Sequence, residues 1–233
     1  MLFIAYTIFT EKYKGVLGLS FLNFYFFKGI SEEYMKNKGK LPRKSIQFKE
    51  GNHPNDVFLK GLIILMPIYC YMVFRALKIY NRNSTILKLD IYTIIIIISF
   101  IIIARISAIL HEIIHGIFYP LHEKKYIFLD TKSGYLMIYC NAEISKIRFC
   151  LINIMPLLIQ GIGAYIVWKL IVNKIELRLS MASLFLAWYM MIFAAVDVYN
   201  IVYTIFRVPS NAKIINYGMH SYWILREDKT NEV

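Results

Sequence analysis

The fold is decided by the stretch from Ile91 to Tyr119, which reads IYTIIIIISFIIIARISAILHEIIHGIFY. Its only Lys, Arg, His, Asp or Glu residues are Arg105 and those of the cluster from His111 to His115. About 20 predominantly apolar residues are enough for a helix to cross the roughly 30 Å hydrocarbon core of a bilayer. The stretch therefore predicts a membrane helix that is longer than one crossing, so that it tilts or emerges from the bilayer.

The composition of the whole chain also indicates a membrane protein. Its 233 residues are 58% hydrophobic and only 18% charged, whereas a soluble domain is about half apolar and about a quarter charged. Three further apolar runs, at about Val57 to Ala76, Phe149 to Trp168 and Leu179 to Phe206, are also of spanning length. The sequence predicts an all-α integral membrane protein, a bundle of about four main transmembrane helices.

The chain divides by composition into three parts. We predict a basic, interfacial N-terminal segment over residues 1–56, a membrane domain over 57–206 and a cytoplasmic tail over 207–233. The aromatic run from Gly15 to Phe27 is too short to span easily, so we expect it to lie at the interface or to insert partly.

The net charge of +12 could indicate either nucleic acid or an anionic membrane surface as a partner. No soluble basic module is recognisable, so we expect no nucleic-acid binding. The segments before the first span, between the second and third, and after the fourth hold 18 Lys and Arg residues, and the two opposite loops hold seven. The positive-inside rule then predicts a multi-pass membrane protein with both termini in the cytoplasm.

The cluster His111-Glu112-Ile113-Ile114-His115 is an HExxH motif on a predicted helix. A separation of four residues puts His111 and His115 on one helix face, where both imidazoles can bind one Zn²⁺. Glu112 lies about 100° round the helix, where it can act as general base toward water and later protonate a leaving amine. An acid at membrane depth costs roughly 2.5–3.5 kcal/mol on insertion scales, which favours a functional site over a chance match.

A catalytic zinc site normally has a third protein ligand. Asp197 is the only Asp within the four predicted spans, and it lies at a depth similar to that of His111, so we predict it as this ligand. The alternative is an ion pair between Asp197 and the embedded Arg105. Arg105 could also support the site without binding the metal. Asn200, one turn beyond Asp197, could orient that carboxylate or hold substrate, and equally could be a helix-packing residue.

The third predicted span contains two residues that disturb a regular helix, Asn153 and Pro156. They could loosen this span so that its backbone approaches the predicted site. Ordinary helix packing explains them equally well.

The HEIIH motif, the membrane segment Ala195 to Asn200 that contains Asp197, and the Arg207-Val208-Pro209 that follows carry a family resemblance. The chain resembles the bacterial "putative zincin peptidase" family of small membrane proteins, which is broadly similar to the site-2 type of intramembrane metalloprotease. The resemblance covers roughly Lys49 to the C-terminus. It implies His111, His115 and Asp197 as ligands of Zn²⁺ and Glu112 as the catalytic residue.

Together these features predict a membrane-embedded zinc metallopeptidase that cleaves a peptide or membrane-protein substrate in or near the lipid bilayer. A non-catalytic zinc-binding membrane protein or metal carrier is the alternative. A membrane scaffold in which HEIIH merely packs is a third possibility.

Overall fold

The computed structural model of the chain describes residues 17–19, 23–29, 32–49, 54–83, 90–129 and 136–225. The helices are α1 (Glu32–Asn37), α2 (Pro54–Asn83), α3 (Ile91–Phe118), α4 (Lys146–Pro156), α5 (Gly163–Ile171), α6 (Leu177–Phe193) and α7 (Ala195–Arg207). A π-helical segment, Leu157–Ile162, joins α4 to α5. The strands are β1 (Leu17–Leu19), β2 (Phe24–Lys28), β3 (Ile46–Gln47), β4 (Lys125–Leu129), β5 (Leu136–Tyr139), β6 (Ile144–Ser145), β7 (Ala212–Tyr217) and β8 (His220–Leu225).

Three helical stretches are long and apolar enough to cross a membrane: Asn55–Asn81, Ile91–Phe118 and Lys146–Ile171. Helices α6 and α7 pass the same test as a pair, bent by 43°. The bend falls at Ala194, whose ψ of 7° leaves the helical region. All four predicted spans coincide with these helices.

Much of the surface of α3 is aliphatic. Its exposed large side chains include Ile91, Ile94, Ile95, Ile97, Ile98, Ile101, Ile102, Ile103, Ile106, Ile109 and Leu110. A soluble protein rarely exposes an apolar surface of this extent, whereas lipid accommodates it. The helix thus has the surface that a membrane-spanning segment requires.

The expectation that the protein is all-α is wrong in one respect, because the described residues also form two four-stranded sheets. The strand order is β1-β2-β4-β5 in one sheet and β3-β8-β7-β6 in the other. Strand β2 runs parallel to β4, while the remaining neighbours are antiparallel. The described residues of the run from Gly15 to Phe27 form β1, the turn residue Asn23 and most of β2, and their place at the membrane interface stays a prediction. Aromatic side chains stabilise the pairing of β2 with β4, as in the stacked rings of Phe27 and Phe128.

The chain forms two compact units that alternate along the sequence. The sheet unit consists of the described residues of Met1–Glu50, Glu112–Ile152 and Ile201–Val233, and the helical unit of those of Gly51–His111 and Asn153–Asn200. The core of the sheet unit includes Phe48, Tyr119, Cys140, Phe149, Ile152 and Ile214. The core of the helical unit includes Leu65, Met72, Trp168, Ala187, Met191 and Ala195. Each unit therefore has its own apolar core.

Candidate metal centre

The HEIIH motif occupies the last turns of α3, which ends at Phe118. His111, Glu112 and His115 are all buried, with 3%, 8% and 6% of their surface exposed. Each offers a ligand atom, and these atoms lie within 4.8 Å of one another. Two imidazoles and a carboxylate at this spacing form a donor set that suits Zn²⁺.

His115 is oriented by a backbone carbonyl of α4. Its Nδ1 lies 2.9 Å from the carbonyl oxygen of Ile152, and the contact is buried. Because a carbonyl oxygen can only accept a hydrogen bond, the ring nitrogen donates it. A neutral imidazole that donates through Nδ1 keeps a lone pair on Nε2, which is the form that binds a metal.

Glu112 is held by a backbone N–H of strand β5. The N–H of Ile138 donates a hydrogen bond of 2.7 Å to Oε2 of Glu112. This bond fixes the carboxylate by one oxygen and favours its ionised form. A carboxylate oriented in this way is suited to accept a proton as general base.

Gly116, the residue after His115, permits this close approach. A Cβ at this position would overlap the ring of Phe24 in β2 and would lie 2.7 Å from Cδ1 of Ile138. The absence of a side chain at residue 116 therefore lets the strands pack closely against α3 beside Glu112.

The structure brings Asp197 to His111, within the helical unit. Oδ2 of Asp197 lies 3.0 Å from Nε2 of His111, and both side chains are buried. Two ligands of one zinc ion at 2.0–2.2 Å in tetrahedral geometry are separated by about 3.3 Å. The observed separation is close to that of two ligands of one ion, and the contact does not have the geometry of a hydrogen bond. The edge of the His111 ring faces Phe193, with ring centroids 5.7 Å apart.

The other two predicted site residues lie on the same helices. Arg105 is exposed on α3, and the ion pair formed by Asp197 is with His111. Asn200 follows Asp197 on α7, and its buried Oδ1 accepts no hydrogen bond from the described residues. Supporting roles for Arg105 and Asn200 stay predictions.

The first turn of α4 holds the C-terminal ends of two neighbouring helices in the sheet unit. Nε of Arg148 donates to the carbonyl of Phe118, the last residue of α3. Nζ of Lys146 donates to the carbonyls of Ile205 and Val208 at the end of α7. These cations satisfy helix-terminal carbonyls and interact favourably with the negative end of each helix dipole.

Sequence reasoning did not identify the two groups that orient the motif, the N–H of Ile138 and the carbonyl of Ile152. Both belong to the backbone, so residue type does not reveal them. Pro156 was the available signal, because a proline leaves the carbonyl four residues before it without its helical donor.

The chain is thus a mostly helical protein with three or four candidate membrane spans and a buried His-Glu-His group near the end of α3. The profile of the family described as "Putative zincin peptidase" matches residues 104–213. This range includes the whole HEIIH motif, Asp197 and Asn200, so the predicted resemblance to this family is confirmed, over a shorter range than the predicted Lys49 to the C-terminus. No significant match occurs among curated proteins or solved structures.

Proposed function

We propose that the protein is a membrane-embedded zinc metallopeptidase that hydrolyses peptide bonds in or near the bilayer. The observation that carries the proposal is the buried centre on α3, where His115 has its metal-binding tautomer fixed and Glu112 is oriented by Ile138. The family match supports the same class of activity.

His111 and His115 would hold the ion, with Asp197 as the third ligand. Bound zinc would act as a Lewis acid toward the scissile carbonyl and lower the pKa of a water to about 7. The chain's own contribution is the placement of a general base. Glu112, tethered through Oε2, keeps Oε1 to take a proton from the attacking water and to return it to the leaving amine.

The substrate would be a peptide or a membrane protein, presented in the lipid bilayer. Hydrogen bonds within a membrane helix protect its backbone, so a helical substrate would have to unwind locally before cleavage. We also propose that the protein spans a bacterial cell membrane with both termini in the cytoplasm, as its distribution of Lys and Arg favours.

The decisive experiment compares wild type with Glu112→Gln. Glutamine is nearly isosteric and its side-chain oxygen can still accept from the N–H of Ile138, so the site should keep zinc. Loss of the general base should lower cleavage by about 10²–10⁴-fold. Zinc is measured by elemental analysis of the detergent-purified proteins. Cleavage is measured as new N-terminal peptides, by mass spectrometry of membranes that contain either protein.

The outcomes separate the candidate functions. Equal cleavage by both proteins would refute the catalytic role of Glu112. Absence of new N-termini with either protein, with zinc bound to both, would favour the non-catalytic zinc protein or metal carrier. Loss of zinc from Glu112→Gln would make Glu112 a ligand, which its place in the His-Glu-His group also allows.

A further inference from the structure

The carbonyl of Ile152 lies within α4, where helix geometry would normally occupy it. In an α-helix the carbonyl of residue 152 accepts from the N–H of residue 156. Residue 156 is proline, which has no N–H. The carbonyl that accepts from His115 is thus the one that the proline leaves without its helical donor.

The geometry points to Pro156 as a positioning residue of the metal centre. By withholding a backbone N–H, Pro156 leaves the Ile152 carbonyl to accept from Nδ1 of His115, and this bond keeps Nε2 as the metal-binding nitrogen. The inference rests on the proposed zinc site. Pro156 would not contact the metal and would act on the site through the backbone carbonyl of Ile152.

The helix around Pro156 departs from regular α-helical geometry. The proline ring clashes with the carbonyl of residue i−4 in a regular α-helix, which turns that carbonyl away from the helix axis. The π-helical segment Leu157–Ile162 begins at the next residue, and such segments frequently occur at functional sites. Pro156 itself is fully buried, so the distortion lies in the interior of the protein rather than on its lipid-facing surface.

A second helix proline, Pro67, is not followed by a π-helical segment. Pro67 lies inside α2, which continues as an α-helix to Asn83. Pro67 is exposed, and the carbonyl it leaves without a helical donor belongs to Ile63, also exposed. Pro67 is therefore a matched control. The carbonyl that it leaves without a helical donor belongs to an exposed residue and not to a residue that accepts a hydrogen bond from His115.

The test is zinc affinity, measured by competition with a chromophoric chelator on the full-length protein in detergent. Pro156→Ala restores the N–H at position 156, and alanine is compatible with a helix. Loss of the group that orients a metal-binding histidine typically lowers metal affinity by about 10–100-fold. We expect a weakening in this range and an altered visible spectrum of the Co²⁺-substituted protein. Pro67→Ala should retain the wild-type affinity and spectrum.

A second variant separates the effect of the missing N–H from the effect of the proline ring. The ester analogue of alanine at position 156, an α-hydroxy acid introduced by nonsense suppression, has neither the ring nor the N–H. It should bind zinc with nearly wild-type affinity, and it remains informative if Pro156→Ala does not fold. Weak binding by this analogue would overturn the inference, as would wild-type affinity with an unchanged Co²⁺ spectrum in Pro156→Ala. If wild type bound no zinc, the proposed function would fail first, and the inference with it.

Discussion

At the scale of single residues, the contact between His111 and Asp197 determines how the centre is completed. Their 3.0 Å separation is compatible with two ligands of one ion. An aspartate that accepts a hydrogen bond from a histidine ligand would require the two side chains to turn, because the contact lacks hydrogen-bond geometry in the structure. The two arrangements differ in what they require of residue 197. A ligand needs a carboxylate oxygen, whereas a hydrogen-bond acceptor can be any suitable oxygen.

Asp197→Asn separates the two roles. We expect this variant to lose most of its zinc, as His111→Ala should, because an amide oxygen is a much weaker zinc ligand than a carboxylate. The measurement is zinc per protein after gel filtration in detergent. Asparagine can still accept a hydrogen bond, so full zinc occupancy in Asp197→Asn would remove Asp197 from the ligand set and leave it as an orienting residue.

At the scale of elements, a polar cluster joins the beginning of α3 to the beginning of α6. Oδ1 of Asp90 accepts from the backbone N–H of Thr93, which caps α3. Nη1 of Arg178 lies 2.7 Å from both carboxylate oxygens of Asp90. These contacts, with the Thr93 N–H bond as the largest cause, lower the pKa of Asp90 to about 2.

This cluster predicts a pH-dependent contribution to stability. The pKa of Asp90 is depressed below its ordinary value of 3.8, so its contribution is complete above that value and is lost as the pH falls toward 2. The melting temperature of wild type should exceed that of Asp90→Asn by a constant amount from pH 7 to about pH 5. The difference should shrink below about pH 4. A difference that stays constant down to pH 3 would contradict the assignment.

A close helix contact in the helical unit gives a second prediction at this scale. Gly61 of α2 meets the start of α7, where an added Cβ would overlap the backbone carbonyl of Ala195. Small residues let membrane helices approach closely, and backbone atoms cannot move aside as a side chain can. Gly61→Ala should therefore lower the free energy of unfolding by about 1–3 kcal/mol, measured as a lower melting temperature in detergent.

Gly163→Ala is the matched control. The nearest atom to a Cβ at Gly163 is the carbonyl oxygen of Leu158 at 3.5 Å, an ordinary contact. Alanine is a better helix former than glycine by up to about 1 kcal/mol, so this variant should be as stable as wild type or more stable. If both variants lost stability equally, the close contact at Gly61 would not be the cause.

The elements differ in how far the sequence predicts them. The long apolar runs predict the membrane helices, and the HEIIH spacing predicts the grouping of His111 with His115. The strands are not predictable in the same way, because β3 and β6 have two residues each and β4 pairs with β2 about 100 residues earlier in the chain. The bonds to Ile138 and Ile152 involve backbone groups, whose positions depend on tertiary structure rather than on residue type.

At the scale of the whole molecule, the sheets constrain how often the chain crosses the membrane. Strand β6 lies between α3 and α4, and it pairs with β7, which follows α7. Strand β2 lies before α2 and pairs with β4, which follows α3. Paired strands must be on the same side of the bilayer, because lipid does not accommodate exposed strand backbone. The chain must therefore cross an even number of times between the members of each pair.

The even number of crossings predicts whether α6 and α7 cross the membrane as one bent span or form a re-entrant loop. If the candidate span Lys146–Ile171 crosses once between β6 and β7, α6 and α7 together must supply a second crossing. We therefore expect four crossings, with α6 and α7 as one bent span rather than a re-entrant loop. With the positive-inside rule, the strands and both termini would be cytoplasmic.

Single cysteines test this topology directly. Lys124, Lys174 and Asn211 are exposed positions before β4, between α5 and α6, and before β7. Each is replaced by cysteine in a variant that lacks the three native cysteines, and intact cells are treated with a membrane-impermeant maleimide. Lys174→Cys should be labelled from outside, whereas Lys124→Cys and Asn211→Cys should react only after the membrane is opened. If Lys124→Cys and Asn211→Cys reacted from opposite sides, α6 and α7 would be re-entrant and the pairing of β6 with β7 could not form. If both of these cysteines were labelled from outside, the strand pairing would stand and the orientation in the membrane would be reversed.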